Sequence, residues 1–304
     1  MVVAATGFFD GVHRGHRAVL DTVCSLAKKQ GKQSAVVTFW PHPRAVLQQD
    51  AAKFRLLTTL EEKKNLLHSL GIDIVHVLTF DKEFAKQTTA QFFSKYLKEQ
   101  FNVTTLVAGY DHRVGSDINQ TQQEMFQIAR ANGIDPVRIS EFENTKDHVV
   151  ISSTKIRELL CSGDIEFASK MLGYNYGLKG VVVEGKKIGR SMGFPTANVK
   201  LYEPLKLLPA NGVYAVWVGV GCGVYKGIVN IGTRPTVSQT SEKSIEVHIL
   251  NFSEDIYGLS IKLEFAFRLR DEQKFNSLDL LKEQLKKDKD RAQHLLVFDG
   301  IELR

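Results

Sequence analysis

The apolar residues of this chain change their period once, near residue 172, and that change constrains the fold more than any other feature. Before it, short continuous apolar runs alternate with stretches whose apolar positions recur every three or four residues. Val2–Ala5, Ser34–Phe39, Ile72–Phe80, Val103–Ala108 and Pro136–Ile139 read as strands. Arg14–Gln30, the segment from Leu60 to Gly71, and those near 89–100, 118–132, 154–162 and 164–172 read as helices. In the first helix Val19, Leu20, Val23 and Ala27 share one face, with Gly31 placed to end it. Ahead of Leu60, Thr59 and Glu62 form a capping-box pattern. Strands without polar alternation must be covered on both faces, so this half predicts an α/β, Rossmann-like domain: a parallel sheet between two layers of helices.

After Leu172 the helical period stops. Gly173-Tyr-Asn-Tyr-Gly177 reads as a linker, and glycine-punctuated strands follow at Leu178–Glu184, Val213–Val218, Val224–Ile231, Ile245–Asn251 and Ile261–Arg268. One amphipathic helix covers about Leu278–Lys287, and the mixed-charge run Lys282–Arg291 reads as a solvated helix face. This half predicts a small antiparallel β-barrel with a C-terminal helix. A length of 304 residues suits two domains, 1–174 and 175–304.

Composition removes several function classes. Forty Lys and Arg are interspersed with 34 Asp and Glu, a net charge of +6 without the clustered basic face that nucleic acid requires. Three isolated cysteines, Cys24, Cys161 and Cys222, with no C-x-x-C, argue against a disulfide framework and a zinc site. The longest apolar stretch, Val213–Val224, is broken by Gly219, Gly221 and Gly223 and is too short to span a bilayer. The opening residues Met1–Gly7 lack the charged and apolar regions of a signal peptide, so none is expected. The expectation is a cytoplasmic protein without membrane association or an obligatory protein partner.

The strongest local signal is Gly7-Phe-Phe-Asp-Gly-Val-His-Arg-Gly-His16, placed where the first strand hands over to the first helix. His13 and His16 project from one side of the opening helical turn. Gly15 between them admits a phosphate close to the backbone, and the helix N-terminus adds positive partial charge. Two imidazoles beside helix amides suit the charge that develops on a nucleotide α-phosphate as pyrophosphate leaves. A second helix start, Ile151-Ser-Ser-Thr-Lys-Ile-Arg157, supplies hydroxyls, free amides, Lys155 and Arg157, the groups that a triphosphate tail needs, although Ser153 or Thr154 also serves as a simple N-cap.

With Thr38-Phe-Trp-Pro-His-Pro43, these two motifs resemble the FMN adenylyltransferase module of bacterial bifunctional riboflavin kinase/FAD synthetases. H-x-G-H alone leaves other nucleotidyltransferases open, those acting on pantetheine phosphate among them. The resemblance implies that His13 and His16, with Gly7, Phe9, Asp10 and Gly15, form the ATP site. It also implies that Ser153, Thr154 and Arg157 hold the leaving pyrophosphate. The segment Gly109-Tyr-Asp-His-Arg-Val-Gly115 keeps Asp111 as a candidate for nucleotide or Mg²⁺ contact, but has His112 and Val114 where the family has aromatics.

In the second half, Gly185-Lys-Lys-Ile-Gly189 through Gly193 is glycine-rich without Walker A spacing. Phe194-Pro-Thr-Ala-Asn198 is more specific, because Pro195 lets Thr196 and Asn198 present two neutral oxygens, a set that suits Mg²⁺ bridged to phosphates. Asn230-Ile-Gly-Thr-Arg-Pro-Thr236 follows, then Ile245-Glu-Val-His-Ile-Leu250, in which Glu246 and His248 share the face opposite Ile245, Val247 and Ile249. A carboxylate on an open strand face is a reasonable general base for a primary alcohol. These segments resemble the riboflavin kinase module of the same family. The resemblance implies Gly185, Gly189, Thr196 and Asn198 at ATP phosphates and Mg²⁺, Glu246 as base toward the ribityl hydroxyl, and Arg270, Glu272 and Phe275 at the flavin. Two ATP-dependent steps are expected, riboflavin to FMN and FMN to FAD.

Overall fold

The computed structural model describes residues 1–47, 54–109, 113–117, 119–139, 143–144, 149–185, 193–234 and 242–297. It divides into two compact units, Met1–Ser153 and Thr154–Arg304.

The first unit is built on β1 (Val2–Thr6), β2 (Gln33–Trp40), β3 (Ile74–Thr79), β4 (Val103–Ala108) and β5 (Asp135–Arg138), in the order β3-β2-β1-β4-β5. Every pairing is parallel. Between them run α1 (Arg14–Gln30), α2 (Pro43–Leu47), α3 (Leu60–Ser69), α4 (Thr89–Phe92, continued by a π-helical Phe93–Gln100) and α5 (Gln122–Ala131). Capping residues set several of these ends. Gly31 closes α1 in the left-handed region at φ 62°. Thr59 and Glu62 exchange side-chain and backbone bonds of 2.9 and 3.1 Å at the start of α3. Another such box, Thr121 with Glu124, starts α5 at Gln122 instead of near residue 118. β1 is buried along its whole length, and α1 covers it with Leu20, Val23 and Ala27, leaving Val19 only half-buried. The strand pair β6 (Glu143–Asn144) and β7 (Val149–Val150) was not anticipated.

In the second unit, β8 (Gly177–Val183), β9 (Ala197–Leu201), β10 (Gly212–Val220), β11 (Gly223–Arg234), β12 (Glu242–Ile249) and β13 (Ser260–Arg270) close an antiparallel barrel in the order β10-β11-β12-β9-β8-β13. Its interior holds Tyr214, Val216, Val229, Val247, Leu263 and Phe265, all fully buried. A second apolar layer, Val213, Ala215, Trp217, Ile228 and Leu269, is covered by Ala292 of the C-terminal helix α8 (Leu278–Leu295) and by its C-cap, Leu296.

Helices α6 (Ser153–Ser162) and α7 (Ile165–Leu172) group with this barrel. The Ala210 amide donates to the Leu160 carbonyl at 2.9 Å and Arg268 donates to the Ser162 carbonyl at 3.2 Å. A Cβ on Gly163 would sit 2.6 Å from that guanidinium. The period change near 172 therefore does not coincide with the division into units.

Three local expectations are corrected. Gly173–Gly177 is not a free linker, since Tyr176 is buried and its hydroxyl donates to the Leu207 carbonyl at 2.7 Å. The motif Phe194–Asn198 runs into a strand, β9, that its short apolar content did not announce. The charge run on α8 is not wholly solvated, because Asp288 is only 4% exposed and bound to Arg270.

Candidate active sites

Strand order reverses between β1 and β4, so the carboxyl end of β1 opens onto the crevice where doubly wound sheets bind ligands. The chain leaves β1 through a turn in which Phe9 (φ 48°) and Val12 (φ 38°) are left-handed. Side chains rarely adopt this region, at a cost of about 1–3 kcal/mol each, and it persists where surroundings enforce it. Here the enforcement is visible. The buried Asp10 carboxylate accepts from the Leu57 amide at 3.1 Å, the Thr58 amide at 3.0 Å and the Thr58 hydroxyl at 3.2 Å. Thr58 Oγ1 in turn accepts from the Gly11 amide at 3.0 Å. Ser153 Oγ donates to the Asp10 carbonyl at 2.9 Å. Lys63 Nζ donates to the Phe8 carbonyl at 3.0 Å and to Thr38 Oγ1 at 3.1 Å.

This turn delivers the two histidines side by side. His13 is the N-cap of α1, and its Nδ1 accepts from the His16 amide at 3.4 Å, which leaves Nε2 to carry the ring proton of the neutral form. The rings stack at 3.6 Å with 16° between planes, and the Phe9 ring meets His16 edge-on at 5.2 Å. Gly7 lies against that same Phe9 ring, 3.2 Å from where its Cβ would be, and a Cβ on Gly15 would come 3.2 Å from His13 Nδ1. His16 Nδ1 has no hydrogen-bond partner among the described residues. Burial, the adjacent His13 and the Lys63 ammonium, in that order, hold the His16 imidazole well below its ordinary pKa. The pair is therefore a platform that includes a neutral hydrogen-bonding ring beside the free amides of a helix start, rather than two cations.

Among the other residues expected here, Asp111 lies outside the described residues. Thr154 and Arg157 lie on α6 in the second unit, exposed and half-buried respectively, above the buried Ile156 and Leu160. Lys155 pairs with Glu158 at 3.2 Å. Lys63 was not anticipated, because a lysine in an amphipathic helix reads as solvent-facing.

The second site is a row across three barrel strands. Asn230 on β11 pairs with Glu246 on β12, and Glu246 pairs with Asn198 on β9. Directly opposed residues share a sheet face, so the row stands on the outer face while Val229 and Val247 point inward. Asn198 is buried and Glu246 half-buried. A Cβ on Gly185 would overlap the Asn198 amide, so the role of this glycine is to make room rather than to adopt a special backbone angle. Gly189 lies outside the described residues. Thr196, half-buried, immediately precedes β9. His248, next but one to Glu246, donates from Nδ1 to the Pro195 carbonyl at 2.8 Å and meets the Phe194 ring at 5.3 Å, tethering the Phe194–Asn198 segment to β12. Asn230 and His248 were both visible in the motifs but were given no role.

Near one end of this row, the Glu272 carboxylate abuts Gly232 and accepts from Asn211 Nδ2 at 3.4 Å. Arg270 binds Asp288 through Nε (3.0 and 3.1 Å) and Nη2 (2.8 Å), with Gln284 donating to the same carboxylate at 2.8 Å. Its guanidinium carbon lies 5.7 Å from the Phe275 ring centroid. Arg270 thus ties α8 to the barrel.

Among the described residues no helix is long and apolar enough to cross a membrane. A family model described as FAD synthetase matches residues 1–155, and one described as riboflavin kinase matches residues 172–296. The Bacillus subtilis bifunctional riboflavin kinase/FMN adenylyltransferase is 40% identical over 95% of this chain and 91% of its own length. The Escherichia coli protein of the same name is 38% identical over 94% and 90%. A crystal structure described as a macrolide-efflux protein from Streptococcus pneumoniae aligns with 96% of this chain and 94% of its own, at TM-score 0.88 and 31% identity. Two family matches in tandem, and relatives that share both over nearly their whole length, place this chain in the bifunctional riboflavin kinase/FMN adenylyltransferase family.

Proposed function

We propose that the chain makes FAD in two steps: residues 175–304 transfer the γ-phosphoryl of ATP to riboflavin, and residues 1–174 transfer AMP from a second ATP to the FMN produced. The observation that carries this reading is the tandem family match falling on two separate candidate sites of different chemistry.

In the kinase step the ribityl hydroxyl attacks the γ-phosphorus. The new C–O–P linkage forms as the bond to ADP breaks, and Glu246 takes the hydroxyl proton. Thr196 and Asn198 offer oxygen donors, and among the described residues no cluster of three His, Cys, Asp or Glu forms a closed metal cage. That set fits Mg²⁺, which keeps waters and shares ligands with phosphates. When bound, the ion would supply neutralisation of the transferring phosphoryl group, the larger part of such catalysis. Arg270, Glu272 and Phe275 form the flavin side, Arg270 through its hold on α8.

In the adenylyl step an FMN phosphate oxygen attacks the α-phosphorus and pyrophosphate leaves. The nucleophile is already anionic, so no base is required. His13 and His16 donate to the α-phosphate, Ser153, Thr154 and Arg157 hold the pyrophosphate, and Gly7, Phe9, Asp10 and Gly15 shape the ATP loop, Asp10 by fastening it. The chain works in the cytoplasm on riboflavin, FMN and ATP.

A time course with riboflavin, ATP and Mg²⁺, resolved by chromatography, tests the whole reading. FMN should appear first and then convert to FAD. FMN without FAD would remove the adenylyl assignment, and no flavin product from folded protein would remove both.

A further inference from the structure

Resting on the adenylyl-transfer reading of the first unit, we propose that Lys63 is a positioning residue for that step: by gripping the Phe8 carbonyl and the Thr38 hydroxyl together, it holds the turn that sets the His13–His16 pair.

A continuous line of contacts runs from Lys63 to the histidine pair. Lys63 is 4% exposed, a rare location for an ammonium. Burying it unpaired would be costly, yet its bonds are to a backbone carbonyl (3.0 Å) and a hydroxyl (3.1 Å), not to a carboxylate. The Trp40 ring centroid lies 5.9 Å away. Desolvation lowers its pKa to about 8, partly offset by the charge of Asp10. Thr38 Oγ1 also donates to the Phe8 carbonyl, at 3.3 Å, so two donors close on that oxygen. The next residue, Phe9, has φ 48°, and its ring stands edge-on against His16, which stacks on His13. A displaced Phe8 carbonyl therefore displaces the Phe9 ring and with it the imidazole pair. A cation kept in an apolar place to fix this turn is more than a fold requires, since a leucine there would bury without penalty.

The test uses the full-length chain, whose riboflavin kinase activity controls for the second unit and whose KM for ATP and FMN controls for folding of the first. In Lys63→Met, adenylylation of supplied FMN should lose at least about tenfold in kcat, with KM for ATP and FMN changing less than about threefold. Phosphorylation of riboflavin should stay within about twofold of wild type, and the His13 and His16 ring resonances should shift. Adenylylation within about twofold of wild type, with unmoved histidine resonances, overturns the proposal. So does a loss confined to KM, which would make Lys63 a binding group. If Lys63→Met loses both activities, Thr38→Val decides, because it keeps the ammonium and removes one acceptor. It should lower adenylylation alone, and unchanged adenylylation overturns the proposal. A wild-type chain that makes FMN but never FAD would instead refute the underlying reading of the first unit.

Discussion

Removing the carboxylate of Asp288 should loosen α8 from the barrel and weaken the kinase specifically. Asp288 is 4% exposed and Arg270 15% at their side chains, with two guanidinium nitrogens on the carboxylate and Gln284 as a further donor. Breaking such a buried pair from one side costs about 3–5 kcal/mol, because the remaining charge stays desolvated. Arg270 keeps some contact with water and donates to the Asp271 carbonyl at 3.0 Å, which places Asp288→Ala near the low end, about 3 kcal/mol. In a unit of about 150 residues that corresponds to a fall in Tm of roughly 6–12 °C. The protein has two tryptophans, and only Trp217 lies in the barrel, buried under α8. A Trp40→Phe background therefore lets fluorescence report the second unit alone. The double change Arg270→Met with Asp288→Leu should recover most of the stability, since no unpaired charge remains. It should not recover riboflavin KM if Arg270 also orients Phe275. An Asp288→Ala barrel that melts within about 2 °C of its parent would refute the clamp.

His16→Ala should suppress FAD formation while FMN accumulates, and Glu246→Ala should block FMN formation while supplied FMN is still adenylylated; product chromatography reads both, and equal loss of the two products in folded variants would contradict separate sites. Gly185→Ala drives a Cβ into the Asn198 amide, so kinase turnover should fall about tenfold or more with adenylylation unchanged. The His16 ring, followed by NMR, should titrate below 6.5. In the window between its lowered folded value and 6.5 the unfolded chain binds the extra proton, so His16 contributes stability that is lost as pH falls below 6.5. A ring that titrates at or above 6.5 contradicts the buried geometry.

The elements whose ends are written in local chemistry were legible. α1 runs from Arg14 to Gln30 as read, because His13 caps one end and Gly31 the other. The alternation of Ile245, Val247 and Ile249 against Glu246 and His248 likewise survives in the burial of β12. What could not be read depends on partners distant in sequence. β9 is five residues long and exists through pairing with β8 and β12. Lys63 and Asp288 sit in polar helix patterns, and only a carbonyl 55 residues upstream and an arginine 18 residues upstream make them buried. Tyr176 reads as linker until Leu207 supplies an acceptor.

The row Asn230–Glu246–Asn198 takes two members from the consecutive strands β11 and β12 and its third from β9, earlier in the chain, which joins β12 only when the sheet meets itself. No hairpin of the barrel contains the row, and a slip of one residue along β12 would swap Glu246 for Val247 on the outer face. If the row carries the kinase step as proposed, riboflavin phosphorylation is a readout of the β12–β9 closure. A chain that turns riboflavin over would then have β9, β11 and β12 in register, so the ratio of kinase activity to total protein would follow that closure during refolding, independently of spectroscopic signals that partly formed sheets also give.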